Sequence, residues 1–214
     1  MKHTFITIAG STVLGFALLA ALPSHAGDTL TLGTATVPNK ISGYTGDKKV
    51  ADAYYGLKKI LWEEDNDKPC YLSAEARKLS SPDEGRLAEI SICKGSAGNK
   101  KIVELNEADH YVRGIAVCTT DKKDSSDNRL KGIKIYVAEV KSDGKVLALN
   151  AFEKNEHTNC SEWHAAVYCP AGHIANAVNV FYKGGDASGK GGYFTGLGLK
   201  CAQVIKVSDS AHTN

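Results

Sequence analysis

No two cysteines in this 214-residue sequence lie closer than nine positions, and Cys-x-x-Cys does not occur. Structural metal clusters use thiolates two to four residues apart, and dithiol redox centres use the two-residue spacer. The spacing therefore points away from both. Catalytic signatures are missing as well: there is no Gly-x-Ser-x-Gly elbow, no His-Glu-x-x-His, no phosphate-binding glycine loop and no EF-hand loop. A basic stripe is also lacking. Lys and Arg number 26 against 24 Asp and Glu, and the runs Asn99-Lys100-Lys101 and Asp121-Lys122-Lys123 are short or interrupted by acids. Phosphate backbones need clustered cations, so nucleic acid is not the expected partner. Beyond residue 26 no stretch is apolar enough to cross a bilayer, which takes roughly 20 residues as a helix. The expectation is a chain with no cofactor and no metal ion.

What is present begins with an export signal. Met1-Lys2-His3 is short and basic, an apolar run covers residues 13–22, Pro23 breaks it, and Ser24-His25-Ala26 supplies small residues before a cut. These are the three parts of a secretory signal peptide. An apolar run of about 10 residues is too short for a retained anchor. Residues 1–26 are expected to be removed, leaving an exported chain, periplasmic or secreted, that starts near Gly27 and is close to neutral.

From about Leu87 onward the sequence alternates apolar and polar residues in the β manner, with Gly- and Asp-rich turns at residues 121–128 and 184–192. Two hairpins resemble each other. Tyr111-Val-Arg-Gly114-Ile115-Ala-Val117 aligns with Ile174-Ala-Asn-Ala177-Val178-Asn-Val180 at an offset of 63. Leu130-Lys-Gly132-Ile133-Lys-Ile135 aligns with Phe194-Thr-Gly196-Leu197-Gly-Leu199 at 64. Leu87, Ile90 and Ile92 match Leu130, Ile133 and Ile135 at 43, which suggests a third copy. Gly132 and Gly196 suit a bulge or a close backbone approach.

The stretch Cys169-Pro170-Ala-Gly172-His-Ile174, followed by a strand, a loop and Gly196-Leu197-Gly-Leu199-Lys-Cys201, resembles the repeat of vitelline membrane outer layer protein I. That family has a threefold β-prism of Greek-key sheets, shared with jacalin-like lectins. The resemblance runs from Tyr111 to Val204 and implies a mainly β, prism-like fold. Two departures stand beside it. The acidic turn of that repeat is missing, and so is the jacalin-type sugar loop, Gly followed four residues on by Asp before the final strand. No sugar-binding residue carries over.

Six cysteines behind an export signal read as a disulfide framework. Of the 15 possible pairings, the expected set is Cys160 with Cys169, which closes a short loop, Cys118 with Cys201, which joins strands ending matching repeat units, and Cys70 with Cys93. Upstream, residues 27–47 read as an extended arm before a single β-rich domain, residues 48–214. Within residues 48–64, Val50, Ala53, Tyr54, Leu57, Ile60, Leu61 and Trp62 come close to helical spacing, with Asp47 as N-cap. One short amphipathic helix is expected there, with Glu63, Glu64, Asp65 and Asp67 as its solvated end.

Candidate ligand contacts lie mostly in loops. Asp121, Asp124 and Asp127 recur every third residue; oxygen-rich loops can hold calcium, but Lys122 and Lys123 offset the charge. Gly185 and Asp186 sit in the glycine-rich hairpin loop, with Tyr193 at its far side. Asp109-His110 and Glu162-Trp163-His164 each set a carboxylate near an imidazole, as a general base needs, though no nucleophile motif accompanies them. Trp163 and His164 are kept as candidate contacts, and His157, His164 and His173 could cluster in space. The leading reading is a secreted or periplasmic, non-enzymatic binding module whose ligand is a glycan, by analogy of fold. The alternative is a protein-binding inhibitor or immunity protein acting on an envelope enzyme, and a hydrolase comes third.

Overall fold

The computed structural model describes residues 29–35, 39–40, 47–50, 55–79, 81–120, 128–185 and 190–207. The export signal and residues 121–127, with Asp121, Asp124 and Asp127, lie outside them. So does Asp186.

Among the described residues, fourteen strands form three antiparallel sheets. In the first sheet β1 (Thr29–Ala35), β14 (Tyr193–Val207), β13 (His173–Lys183) and β3 (Asp47–Val50) lie side by side, with β2 (Asn39–Lys40) also on β14. The second runs β10 (Val146–Glu156), β9 (Leu130–Val140), β8 (His110–Thr119) and β11 (Glu162–Trp163), with β12 (Val167–Tyr168) also on β8. The third runs β6 (Ser81–Ser91), β5 (Lys68–Lys78), β4 (Gly56–Asp65) and β7 (Gly98–Glu104). Each sheet is thus built on a central hairpin, β13–β14, β8–β9 or β4–β5. Their inward residues, among them Ile60, Trp62, Leu72, Ile115, Val117, Ile133, Ile135, Val178, Val180 and Leu197, meet in one core. Three sheets facing one axis make a prism.

The two hairpins that align at 63 and 64 are the central hairpins of the second and first sheets. The third copy is not where the apolar match put it. Leu87 and Ile90 belong to β6, an edge strand, and Leu87 is 67% exposed. The equivalent hairpin of the third sheet is β4–β5.

No helix occurs among the described residues, and residues 56–65 are a strand. The helix-like spacing has a local cause. In β4, Ile60, Trp62 and Glu64 point inward at the strand period of two, while Lys59, Leu61 and Glu63 are half-exposed. The pairing with β5 slips between Leu57 and Lys59. This bulge inserts Lys58 and turns Leu57 to the same side as Ile60. A spacing of three between two fully buried residues mimics a helix. Asp47, read as a helix cap, instead opens β3.

The disulfides are Cys70–Cys93, Cys118–Cys160 and Cys169–Cys201. The first agrees with expectation, and the other two replace Cys160–Cys169 and Cys118–Cys201. The reason is the return of the chain after β10. It lays β11 on β8 with Trp163 opposite Cys118, which brings Cys160 beside that strand. It then crosses to the first sheet, where Ala175 of β13 faces Cys201 of β14 and Cys169 lies just upstream.

Candidate functional site

The three central hairpins turn at the same end of the prism. Asn66 and Asp67, with φ of 51° and 66°, form the two-residue turn of β4–β5. Both residues in the left-handed region is the geometry that matches strand twist, and Asn and Asp tolerate it best among residues with side chains. Contacts tie this turn to its neighbours. Arg129, at the end of the β8–β9 connection, reaches Asp67 Oδ2 at 3.3 Å and lies 5.4 Å from the Tyr193 ring of β14. Asn159 Nδ2 donates to Asp67 Oδ1 at 2.7 Å, and Gly191 N–H donates to Ile92 O at 2.8 Å.

Two clefts open on either side of the β4–β5 turn. The first, about 340 Å³, is lined by Asp65, Asn66, Lys68, Lys94, Gly95 and Gly191, with the Cys70–Cys93 bridge among its walls. Asp65 Oδ2 accepts the Gly95 N–H at 2.8 Å, and Asp65 Oδ1 accepts from Asn66 Nδ2 at 2.9 Å. Gly192 closes the neck of the adjoining hairpin: a Cβ there would stand 2.8 Å from Gly184 O.

The second cleft, about 490 Å³, is lined by Glu64, Asp67, Asn99, Lys101, His157 and Asn159. Beneath it lies a buried ionic network. Lys131 of β9, fully buried, donates from Nζ to Glu64 Oε1 at 2.6 Å, Asp67 Oδ1 at 2.6 Å and Asp67 O at 2.8 Å. All three donor positions of the ammonium are used. His157 Nδ1 lies 3.5 Å from Glu64 Oε2, and its ring stands edge-on to Trp62. Burial raises the Glu64 carboxyl against the opposing pull of Lys131. Burial also works to raise Asp67, but hydrogen bonds from Lys131 and Asn159 carry it below the usual carboxylate value. For His157, burial and then the Lys131 and Lys101 charges bring the imidazole down to about 4, so it is neutral at neutral pH.

Sequence reasoning missed this network. It placed Glu64 and Asp67 on a solvated helix end, yet Glu64 is buried and Asp67 holds a turn. The available signal was Asn66-Asp67 between two alternating runs, a hairpin mark. Of the candidate residues, Tyr193 lies buried under Arg129 at the loop end, and Gly185 sits in the β13–β14 connection with φ of 108°. Trp163 is elsewhere, on the outer face of the second sheet. His164 Nε2 meets Thr119 Oγ1 at 2.7 Å, and His173 Nδ1 meets Ala171 O at 2.9 Å. His157, His164 and His173 therefore have separate surroundings and form no common cluster. Asp109 and His110, 4.0 Å apart, lie at the opposite end, where β8 begins.

This geometry has counterparts among solved structures. The Calsepa lectin in complex with a biantennary N-glycan superposes with a TM-score of 0.51 at 12% identity, over 79% of this chain and 96% of that one. The fold is the jacalin-type β-prism. The agglutinin of Calystegia sepium gives 0.48 at 14% identity over 79% and 96% of the two chains. A mannose-specific jacalin-related lectin from Morus Nigra gives 0.47 at 10%, over 79% and 96%. No family model and no curated protein matches the sequence. At the loop end of this β-prism the β4–β5 turn contributes to both clefts.

Proposed function

We propose that the protein is an exported, lectin-like module that binds glycan at the loop end of its β-prism. The observation that carries this reading is the cleft between Asp65, Asn66, Lys94 and Gly95. It presents carboxylate, amide, ammonium and backbone groups on turns pinned by hydrogen bonds to one another. Sugars present C–H faces as well as hydroxyls, so a largely apolar wall set with a few fixed polar groups on rigid hairpins suits them. The volume falls in the range of small-ligand pockets. The fold supports the same class, since a lectin of this architecture is known with a bound N-glycan. Export agrees with three disulfides and no free cysteine, a state that oxidising compartments maintain. The absence of the jacalin-type sugar loop means that the sugar follows from this chain's own cleft.

The test is a glycan array probed with the chain lacking residues 1–26, beside Asp65→Ala and Lys94→Ala variants. The expected result is a defined set of neutral glycans retained by the wild type and lost in Asp65→Ala. A stoichiometric envelope protein recovered by pull-down, with no glycan retained, would replace the lectin reading by that of an inhibitor or immunity protein.

A further inference from the structure

On the outer face of the second sheet, away from the loop-end clefts, the strands assemble a row that the sequence scatters over residues 113–168. Phe152 of β10 stands opposite Tyr136 of β9, Tyr136 opposite Gly114 of β8, and Gly114 opposite Tyr168 of β12. The row crosses four strands, about 14 Å at the usual strand spacing. Ring centroids are 6.1 Å apart for Tyr136 and Phe152, and 4.9 Å for Tyr136 and Tyr168. Two same-face rows further toward the loop end, Trp163 of β11 stands opposite Cys118, which itself faces Gly132.

Two glycines let the outer rings lie down on the sheet. A Cβ at Gly114 would stand 2.4 Å from Tyr168 Cδ1, and one at Gly132 would stand 3.2 Å from Trp163 Cη2. Rings seated on bare backbone turn a face outward. Phe152 stays 50% exposed and Tyr168 41%. Cations alternate with the rings: Lys134 Nζ is 4.9 Å from the Phe152 centroid and 4.8 Å from that of Trp163, and the Arg113 guanidinium is 4.8 Å from that of Tyr168. Among the described residues neither Lys134 nor Arg113 meets a carboxylate; Lys154 has only Glu156, at 3.9 Å. The Arg113 Nε is buried without a hydrogen-bond partner.

We infer that this face binds an acidic polysaccharide, with sugar rings stacked on Phe152, Tyr136, Tyr168 and Trp163 and uronate carboxylates held by Lys134 and Arg113. The charge selects the occupant. Aromatic faces are electron-rich and accept the C–H face of a pyranose as they accept a cation. Two cations with π-faces but no counter-ion leave the row positive, and a carboxylate repeated along a chain supplies the missing partner. A neutral glycan would leave both charges unanswered. This surface shares no residue with the cleft of the proposed function and stands or falls apart from it.

The test is isothermal titration calorimetry at moderate ionic strength with oligomers of polygalacturonate and with the same oligomers fully methyl-esterified. The backbone is shared and only the charge differs. Wild type is expected to bind the acid form at least about tenfold more tightly than the ester. Lys134→Gln should weaken the acid form about tenfold without changing the ester. Tyr168→Ala, at an exposed position that leaves the core alone, should weaken both, and Asp65→Ala in the cleft should change neither. Equal binding of acid and ester, or no response to Lys134→Gln and Tyr168→Ala, would overturn the inference. Tighter binding of a single-stranded oligodeoxynucleotide than of polygalacturonate would overturn it in favour of nucleic acid.

Discussion

Lys131 Nζ and Glu64 Oε1 meet at 2.6 Å with both side chains out of solvent, one from the second sheet and one from the third. Removing one member of such a pair strands the other charge, which costs about 3–5 kcal/mol, whereas removing both at once is far cheaper. Lys131→Met should therefore lower the unfolding free energy in urea by about that amount. Lys131→Met with Glu64→Gln should recover most of the loss. Equal destabilisation in the single and double variants would show that the pair is not coupled.

The neutral His157 ties stability to pH. Its folded value of about 4 lies below the ordinary imidazole value of 6.5, so the unfolded chain takes the proton first as pH falls. The stabilisation is complete above about pH 6.5 and is lost toward pH 4, by up to about 3 kcal/mol. Glu64 acts in the opposite sense, since its raised carboxyl favours the folded chain at the acid side. His157→Gln should flatten the urea midpoint between pH 6.5 and 4 relative to wild type. An unchanged slope would place the acid sensitivity elsewhere.

Gly56 and Gly98 provide a matched contrast. A Cβ on Gly56 would stand 2.3 Å from Tyr111 Cδ1 and 2.7 Å from Ile174 Cδ1, while one on Gly98 meets nothing within 4 Å. Tyr111 and Ile174 come from the other two sheets and are buried. Gly56→Ala should cost about 1–3 kcal/mol through overpacking, read as a fall in thermal midpoint. Gly98→Ala should stay within about 0.5 kcal/mol.

Non-reducing peptide mapping should recover Cys70–Cys93, Cys118–Cys160 and Cys169–Cys201. Replacing Cys118 and Cys160 together by Ser should cost about 2–5 kcal/mol and release the segment before β11. Because Trp163 is paired with Cys118, its fluorescence should shift toward that of an exposed indole in that variant. A linked Cys118–Cys201 peptide would contradict the sheet assignment of β11.

The fold was legible where alternation runs unbroken. The segments 111–117, 130–135, 174–180 and 194–199 are central strands whose inward faces meet the core at every second residue, so pattern and burial agree. Legibility failed at irregularities. The bulge at Lys58 shifted the phase of β4 and produced a false helix. Strands β11 and β12 have two residues each, too few to alternate, and their placement decides two of the three disulfides. The ionic network was invisible because Lys131 and Glu64 lie 67 residues apart and meet only once two sheets are built. Trp163 was singled out from its own neighbours. Its approach to Lys134 comes from the pairings of β11 with β8 and of β8 with β9, and the register that aligns Phe152 with Tyr136 depends on an irregularity between Ala148 and Phe152 that no local pattern announces.

The pairing of β1 with β14 bears on how the molecule responds to force. Thr29 lies opposite Val207 and Ala35 opposite Ala202, so a pull on the outer ends of these two strands opens the ladder one rung at a time. Such tearing needs less force than sliding two strands past each other. On the β14 side it stops after Ala202, because the next residue, Cys201, is bonded to Cys169, just upstream of β13. Under tension the C-terminal side would release a short, fixed length of chain and then hold, a mechanical fuse with its stop built in.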